Sequence, residues 1–154
     1  MRIPPPPLVA LAAALAQRAL ARGTSAPGPA RVAVAATVST ASTALAGAAA
    51  SRFRRSGTTI DAFHPERASA LVTTGPFAIS RNPMYTGLTG LLLAHAIGRR
   101  SWAGLVPVAG FVVLIDRLQI RAEESALADR FGAEYDAYRA ASPRWLDRRS
   151  FRRR

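Results

Sequence analysis

The 154-residue chain has no cysteine and no lysine. Without cysteine it can form neither a disulfide nor a thiolate nucleophile nor a thiolate metal site. Its two histidines, His64 and His95, are too few for a multi-histidine centre, so no metal is expected. Acidic residues are also scarce, 9 Asp and Glu against 21 basic residues that are all arginine, for a net charge of +12. Aromatic residues make up 7% and do not alternate with the arginines. The stacking platform of a nucleic-acid surface is therefore missing despite the basic charge, and no nucleic-acid partner is expected. Arginines beside apolar segments equally suit an anionic lipid surface.

Hydrophobic residues make up 49% of the chain and are gathered into segments. After prolines 4–7, residues 7–21 have the outline of a signal peptide. The leader charge is only Arg2, and Ala19-Leu20-Ala21 is a weak cleavage site, so the segment reads as a short first membrane helix. Val32 to Ala50 is uncharged for nineteen residues and rich in small side chains, which favour close helix packing. Met84 to Ile97 and Ala103 to Ile115 form an apolar hairpin turned by Arg99-Arg100, with Gly98 expected as the C-cap of its first helix. In residues 118–140, Ile120, Leu127, Phe131, Tyr135 and Tyr138 recur at helical spacing, which predicts an amphipathic helix. The tail after Pro143, with Arg144, Trp145 and a basic end, suits an anionic lipid surface.

The expected fold is all-α and integral to the membrane, with about four transmembrane helices plus a C-terminal amphipathic helix. Residues 1–154 form one membrane domain, of which 1–50 supply two N-terminal membrane helices. Counting arginines sets the topology. Sixteen of the 21 fall on one side if the 51–83 loop and both termini are cytosolic, with loop 23–30 and Arg99-Arg100 outside. This implies a multi-pass protein of a bacterial inner (cytoplasmic) membrane.

The chemistry concentrates in Thr73 to Gly87. Gly75-Pro76 marks a turn, and Asn82-Pro83 marks a helix start, with Asn as the cap and Pro at the first helical position. Arg81, Asn82 and Tyr85 then crowd the mouth of an apolar helix. Gly87 and Gly90 thin one side of that helix, admitting a neighbouring helix or a flat ligand. Glu123 and Glu124 stand where the hairpin ends. Adjacent residues on a helix point about 100° apart, so at most one of the two joins the apolar face. Their plainest role is to pair with Arg121, Arg117 or Arg81. His64, in the long polar loop, is either solvent-facing or a ligand contact. His95 reads as a packed neutral or interfacial side chain.

Gly75-Pro76-Phe77, Arg81-Asn82-Pro83-Met84-Tyr85, the Glu123-Glu124 pair and Phe131-Gly132 with Tyr135 and Tyr138 occur in this order around a hydrophobic hairpin. This pattern, over roughly residues 57–146, resembles bacterial relatives of isoprenylcysteine carboxyl methyltransferase, in the wider group that includes the phospholipid N-methyltransferases. The resemblance implies a methyltransferase core at 57–146 that uses S-adenosylmethionine on a lipophilic or small-molecule acceptor at the membrane surface, among membrane lipids. It implies catalytic roles for Arg81, Asn82 and Tyr85, and cofactor contacts from Arg81, Asn82, Tyr85, Gly87, Glu123, Glu124 and Tyr135. Arg81 would hold the cofactor carboxylate and Glu124 its ammonium or ribose hydroxyls. One departure stands out: Asn82 replaces the histidine of better-known members, and Asn cannot titrate near neutrality. The alternatives are a nicotinamide-dependent membrane reductase of the related steroid-reductase type, or a small non-catalytic membrane protein.

Overall fold

The computed structural model describes residues 4–21, 25–56 and 70–151. Its elements are α1 (Pro6–Leu20), α2 (Pro29–Arg55), α3 (Pro76–Ile79), α4 (Pro83–Gly98), α5 (Leu105–Leu114), a π-helical segment (Ile115–Ile120), α6 (Arg121–Phe131), α7 (Ala133–Ala141) and a closing 3₁₀ turn (Arg148–Phe151). Among the described residues the fold is all-α. Prolines open α1, α2, α3 and α4 at the first two helical positions, where the missing N–H costs nothing. His64 lies outside the described residues.

The expectation of about four transmembrane helices does not hold. Among the described residues one helix, α2, is long and apolar enough to cross a membrane, with 27 residues. The others are too short. At 1.5 Å per residue, the 15 residues of α1, 16 of α4 and 10 of α5 reach about 23, 24 and 15 Å, against roughly 30 Å of hydrocarbon. The multi-pass placement in a bacterial inner membrane fails for the same reason, and so does the arginine-based topology built on it.

Helix α4 is the hub, packed against α1, α2 and α5. Its closest approach is to α2, and its glycines permit it. A Cβ on Gly87 would stand 2.7 Å from the Ser42 carbonyl oxygen and 2.8 Å from Ala46 Cβ. One on Gly90 would collide with Ser42 Oγ. Gly87 thus makes room for a helix, and the space its side chain would fill is taken by α2. Gly98 is the last helical residue of α4 and not its C-cap, which is Arg99, and it is Arg100 that takes the left-handed conformation, at φ 53°.

Helix α1 is fastened by one buried side chain. Gln17 donates from Nε2 to the carbonyls of Leu92 and Gly104, both at 2.9 Å. Its Oε1 lies 2.9 Å from His95 Nδ1, while Arg99 Nε donates to His95 Nε2 at 3.3 Å. These contacts are mutually consistent for a neutral imidazole protonated on Nδ1. Burial lowers the His95 pKa, and the charges of Arg99 and Arg18 lower it further. The packed neutral reading of His95 therefore describes it.

Two apolar clusters form the core. Tyr85, Leu92, Val108, Phe111, Ile115 and Ile120 build one with Ala10. Ala49, Val72, Phe77, Tyr135 and Tyr138 build the other, with Phe53, Leu127 and Phe131 against it. The expected single amphipathic helix over 118–140 is therefore divided. Ile120 belongs to the first cluster and the remaining four residues to the second. The π turn re-aims the chain before Leu127, and Gly132, at φ 48°, breaks it after Phe131.

Candidate functional site

The first turn of α4, the start of α6 and the strap after α7 meet at one end of the bundle. Pro83 at the first helical position fixes where α4 starts, and this sets Arg81 and Asn82 just ahead of it and Tyr85 in its first turn. The side chain of Asn82 does not cap the helix. Its Nδ2 donates to the Arg144 carbonyl at 3.1 Å, and the same carbonyl accepts from Ser80 Oγ at 3.0 Å. The Arg81 amide donates to the Pro143 carbonyl at 2.8 Å. Arg81 Nη1 reaches the Ser142 carbonyl at 2.5 Å. Residues 142–144 are thereby laid across the start of α4 by their own carbonyls, because the side chains that could cap the helix face the strap.

That strap delivers Arg144, which the sequence pattern places at a lipid surface. Here it turns inward. Glu124 Oε1 accepts from Arg81 Nη2 at 2.6 Å and from Arg144 Nε at 3.1 Å, and Arg144 Nη2 pairs with Glu124 Oε2. Arg144 Nη1 lies 3.3 Å from both oxygens of Asp116, whose Oδ1 also accepts from Trp145 Nε1 at 2.9 Å. The side chains of Arg81 and Glu124 are only 10% and 14% exposed, which sets this network apart from a screened surface pair. Burial pushes the Glu124 carboxyl up, but the donors of Arg144 and Arg81 outweigh it and hold the group below the usual carboxylate range. Asp116 is likewise lowered, with burial overcome by Trp145 and Arg144.

Glu123 faces the other way. Its Oε1 accepts from Tyr85 Oη at 2.6 Å and from Gln119 Nε2 at 2.7 Å, both neutral donors. Burial raises its pKa, Gln119 and Tyr85 only partly offset this, and the neighbouring Glu124 charge adds to it. Tyr85 is raised in turn, chiefly by burial and then by Glu123. The two adjacent glutamates thus occupy opposite electrostatic settings. Gln119, at the end of the π turn, stands four residues ahead of Glu123 and so on the same side of the helix.

Arg81, Asn82, Tyr85, Glu123 and Glu124 therefore lie at the same end of the bundle. Tyr135 is buried beside Arg81 and Glu124. Its pKa is raised by burial and by the Glu124 charge, against the pull of Arg81. Gly87 stands apart, against α2. The residues that sequence reasoning did not assign are Asp116, Gln119, Arg144 and Trp145. The Arg-Trp pair just after Pro143 was the only hint, and it reads equally well as a surface anchor. One atom in the cluster is unsatisfied: Arg81 Nε is buried without a hydrogen-bond acceptor. No group of His, Asp and Glu that could hold a metal ion occurs among the described residues.

Residues 30–134 match the family model described as phospholipid methyltransferase. The match reaches Arg81, Tyr85 and both glutamates and stops short of Arg144. It supports the wider membrane-methyltransferase group, and it does not single out the isoprenylcysteine carboxyl methyltransferases. An uncharacterized protein of Haemophilus influenzae is 35% identical over 66 residues, which span 41% of this chain and 100% of that protein. No solved structure matches.

Proposed function

The chain belongs to the phospholipid methyltransferase family, and from that premise we propose that it transfers a methyl group from S-adenosylmethionine to a lipophilic acceptor at the Arg81–Tyr85–Glu123–Glu124 end of the bundle. The observation that carries the proposal is the donor left open there. Among the described residues the Arg81 Nε N–H is a buried guanidinium donor without an acceptor. Leaving such a donor unpaired costs about 1–3 kcal/mol or more, and a ligand carboxylate relieves that cost. Three carboxylates converge on the same end of a chain with net charge +12, which suits a ligand carrying positive charge. The residues thus fit a cofactor with one carboxylate and cationic groups.

When bound, S-adenosylmethionine supplies a methyl group activated on a sulfonium. The chain's part is alignment and electrostatics. Arg81 offers its open Nε to the ligand. Glu124, held by two arginines, keeps Arg81 in place and is too committed to be the main ligand for a cation. Asn82 locks the strap over the start of α4, which explains how an amide can stand where a histidine is usual: the task is a hydrogen bond to a carbonyl, with no proton to transfer.

Titration calorimetry of purified protein with S-adenosylmethionine and, separately, NADPH tests this, together with transfer of a labelled methyl group into a phospholipid extract. Binding of S-adenosylmethionine with label in the lipid fraction is expected. Saturable NADPH binding in its place, or no label under conditions where the cofactor binds, would overturn the proposal.

A further inference from the structure

The Arg81 Nε that is to meet a ligand carboxylate is itself buried. A ligand reaches it only if something standing over it moves. The helices around it are poor candidates. Helix α4 sends Tyr85 and Leu92 into one apolar cluster, and α7 sends Tyr135 and Tyr138 into the other, so moving either opens the core. The strap after α7 is held chiefly by polar contacts. Its carbonyls at Ser142, Pro143 and Arg144 accept from Arg81, Asn82 and Ser80. Its Arg144 and Trp145 side chains reach Asp116, and the Trp145 ring leans on the first cluster. Such hydrogen bonds are exchanged for bonds to water when a strap lifts, so lifting costs far less than opening a packed core. Resting on the methyltransferase reading for the identity of the ligand, we propose that residues 142–147 form a gate over Arg81, latched by Asp116 through Arg144 and Trp145, and that the gate lifts before a ligand reaches the Arg81 guanidinium.

The latch has a fixed half and a movable half. Asp116 lies in the π-helical segment beside Ile115, and that segment is pinned by Ile115 and Ile120, both fully buried. Its carboxylate holds two consecutive strap residues, Arg144 at 3.3 Å and Trp145 at 2.9 Å. Arg144 also reaches Glu124, so one side chain ties the strap to the π segment and to α6 together. When the strap lifts, Arg144 leaves both carboxylates. Glu124 still accepts from Arg81 Nη2 at 2.6 Å, which keeps the Arg81 guanidinium in place while its Nε is uncovered. Beyond the latch residues 146–149 are exposed, and the Ser150 hydroxyl donates to the Ile79 carbonyl at 2.7 Å, so the gate bends between two tethers. It lies outside residues 30–134, the part of the chain matched to the family.

Native-state hydrogen exchange of the full chain reads the gate without any ligand, because the Arg81 amide donates to the strap's Pro143 carbonyl. Corrected for intrinsic rates, that amide should exchange about tenfold or more faster than the amide of Leu92 in the middle of α4. Asp116→Asn keeps an oxygen for Trp145 and removes the charge that holds Arg144. It should speed exchange of the Arg81 amide by about tenfold and leave that of Leu92 within about twofold. Stopped-flow association of S-adenosylmethionine, followed by tryptophan fluorescence, should speed by the same factor, since only open molecules bind. An Arg81 amide that exchanges no faster than that of Leu92 overturns the gate, because the strap then lifts only when the chain unfolds. Equal acceleration of both amides in Asp116→Asn overturns the latch and leaves Asp116 a support of the whole fold. Faster exchange at Arg81 with an unchanged association rate overturns the strap as the ligand's route. Wild-type protein that fails to bind S-adenosylmethionine defeats the methyltransferase reading, while hydrogen exchange still decides whether the strap opens and whether Asp116 holds it.

Discussion

Replacing Glu124 by Gln should destabilise the fold, and by an amount the geometry bounds. Glu124 is the shared anion of Arg81 and Arg144, with Nη2 of Arg81 at 2.6 Å and Nε of Arg144 at 3.1 Å. Removing one member of a fully buried pair costs about 3–5 kcal/mol, because the remaining charge is stranded. Here the side chains of Arg81 and Glu124 are 10% and 14% exposed and that of Arg144 is 32% exposed, so water recovers part of the loss. A cost of about 2–3 kcal/mol is expected, or a fall of roughly 4–12 °C in Tm for a chain of this size. The sign of the pH dependence follows from the lowered pKa of Glu124. A carboxyl depressed on folding adds stability that is complete above its unfolded value of about 4.3 and is lost as pH falls through the lower folded value. The gap between wild type and Glu124→Gln should be full at neutral pH and close in acid. Chemical denaturation of both proteins across that range measures it. A gap below about 0.5 kcal/mol at neutral pH would place the network among ordinary surface pairs, and a gap independent of pH would show that the charge of Glu124 is not what stabilises.

Two further substitutions test the framework that holds the site. Gly87→Ala puts a Cβ 2.7 Å from a backbone oxygen and 2.8 Å from Ala46 Cβ of α2. Neither can swing aside, so thermal unfolding should show a loss of about 1–3 kcal/mol from forced separation of the helices. Gln17→Leu removes the donor to the Leu92 and Gly104 carbonyls and the partner of His95 Nδ1. With a buried donor left unsatisfied, about 1–3 kcal/mol should be lost in denaturant unfolding, and the His95 resonances should shift in NMR.

The local grammar of the chain is largely legible without a structure. Proline at the first helical position fixes the start of α4, and apolar clustering marks the helices, because those signals act within a few residues; α2 begins at Pro29, ahead of the apolar run from Val32. Arg81, Tyr85 and the glutamate pair could be selected from their residue types and their places beside helix boundaries. Their meeting depends on how the helices pack, and only the tertiary structure shows which partner each one takes. A π turn changes the hydrogen-bond register for a few residues without altering the pattern of apolar side chains, so no periodicity reveals it. Ile120, at the end of that turn, and Leu127 beyond it serve different clusters. Asn82 reads as a cap in one dimension and is a clamp in three, because a strap 62 residues away offers its amide a carbonyl. Arg144 and Trp145 look like a surface tail until Glu124 and Asp116 accept from them. The number of membrane-length helices could not be inferred from apolar runs alone, since their ends are set by where the chain turns: among the described residues only α2 continues far enough. Sequence determined what each segment is, through contacts a turn or two away. Tertiary structure decided which way each side chain faces, because that depends on partners tens of residues distant.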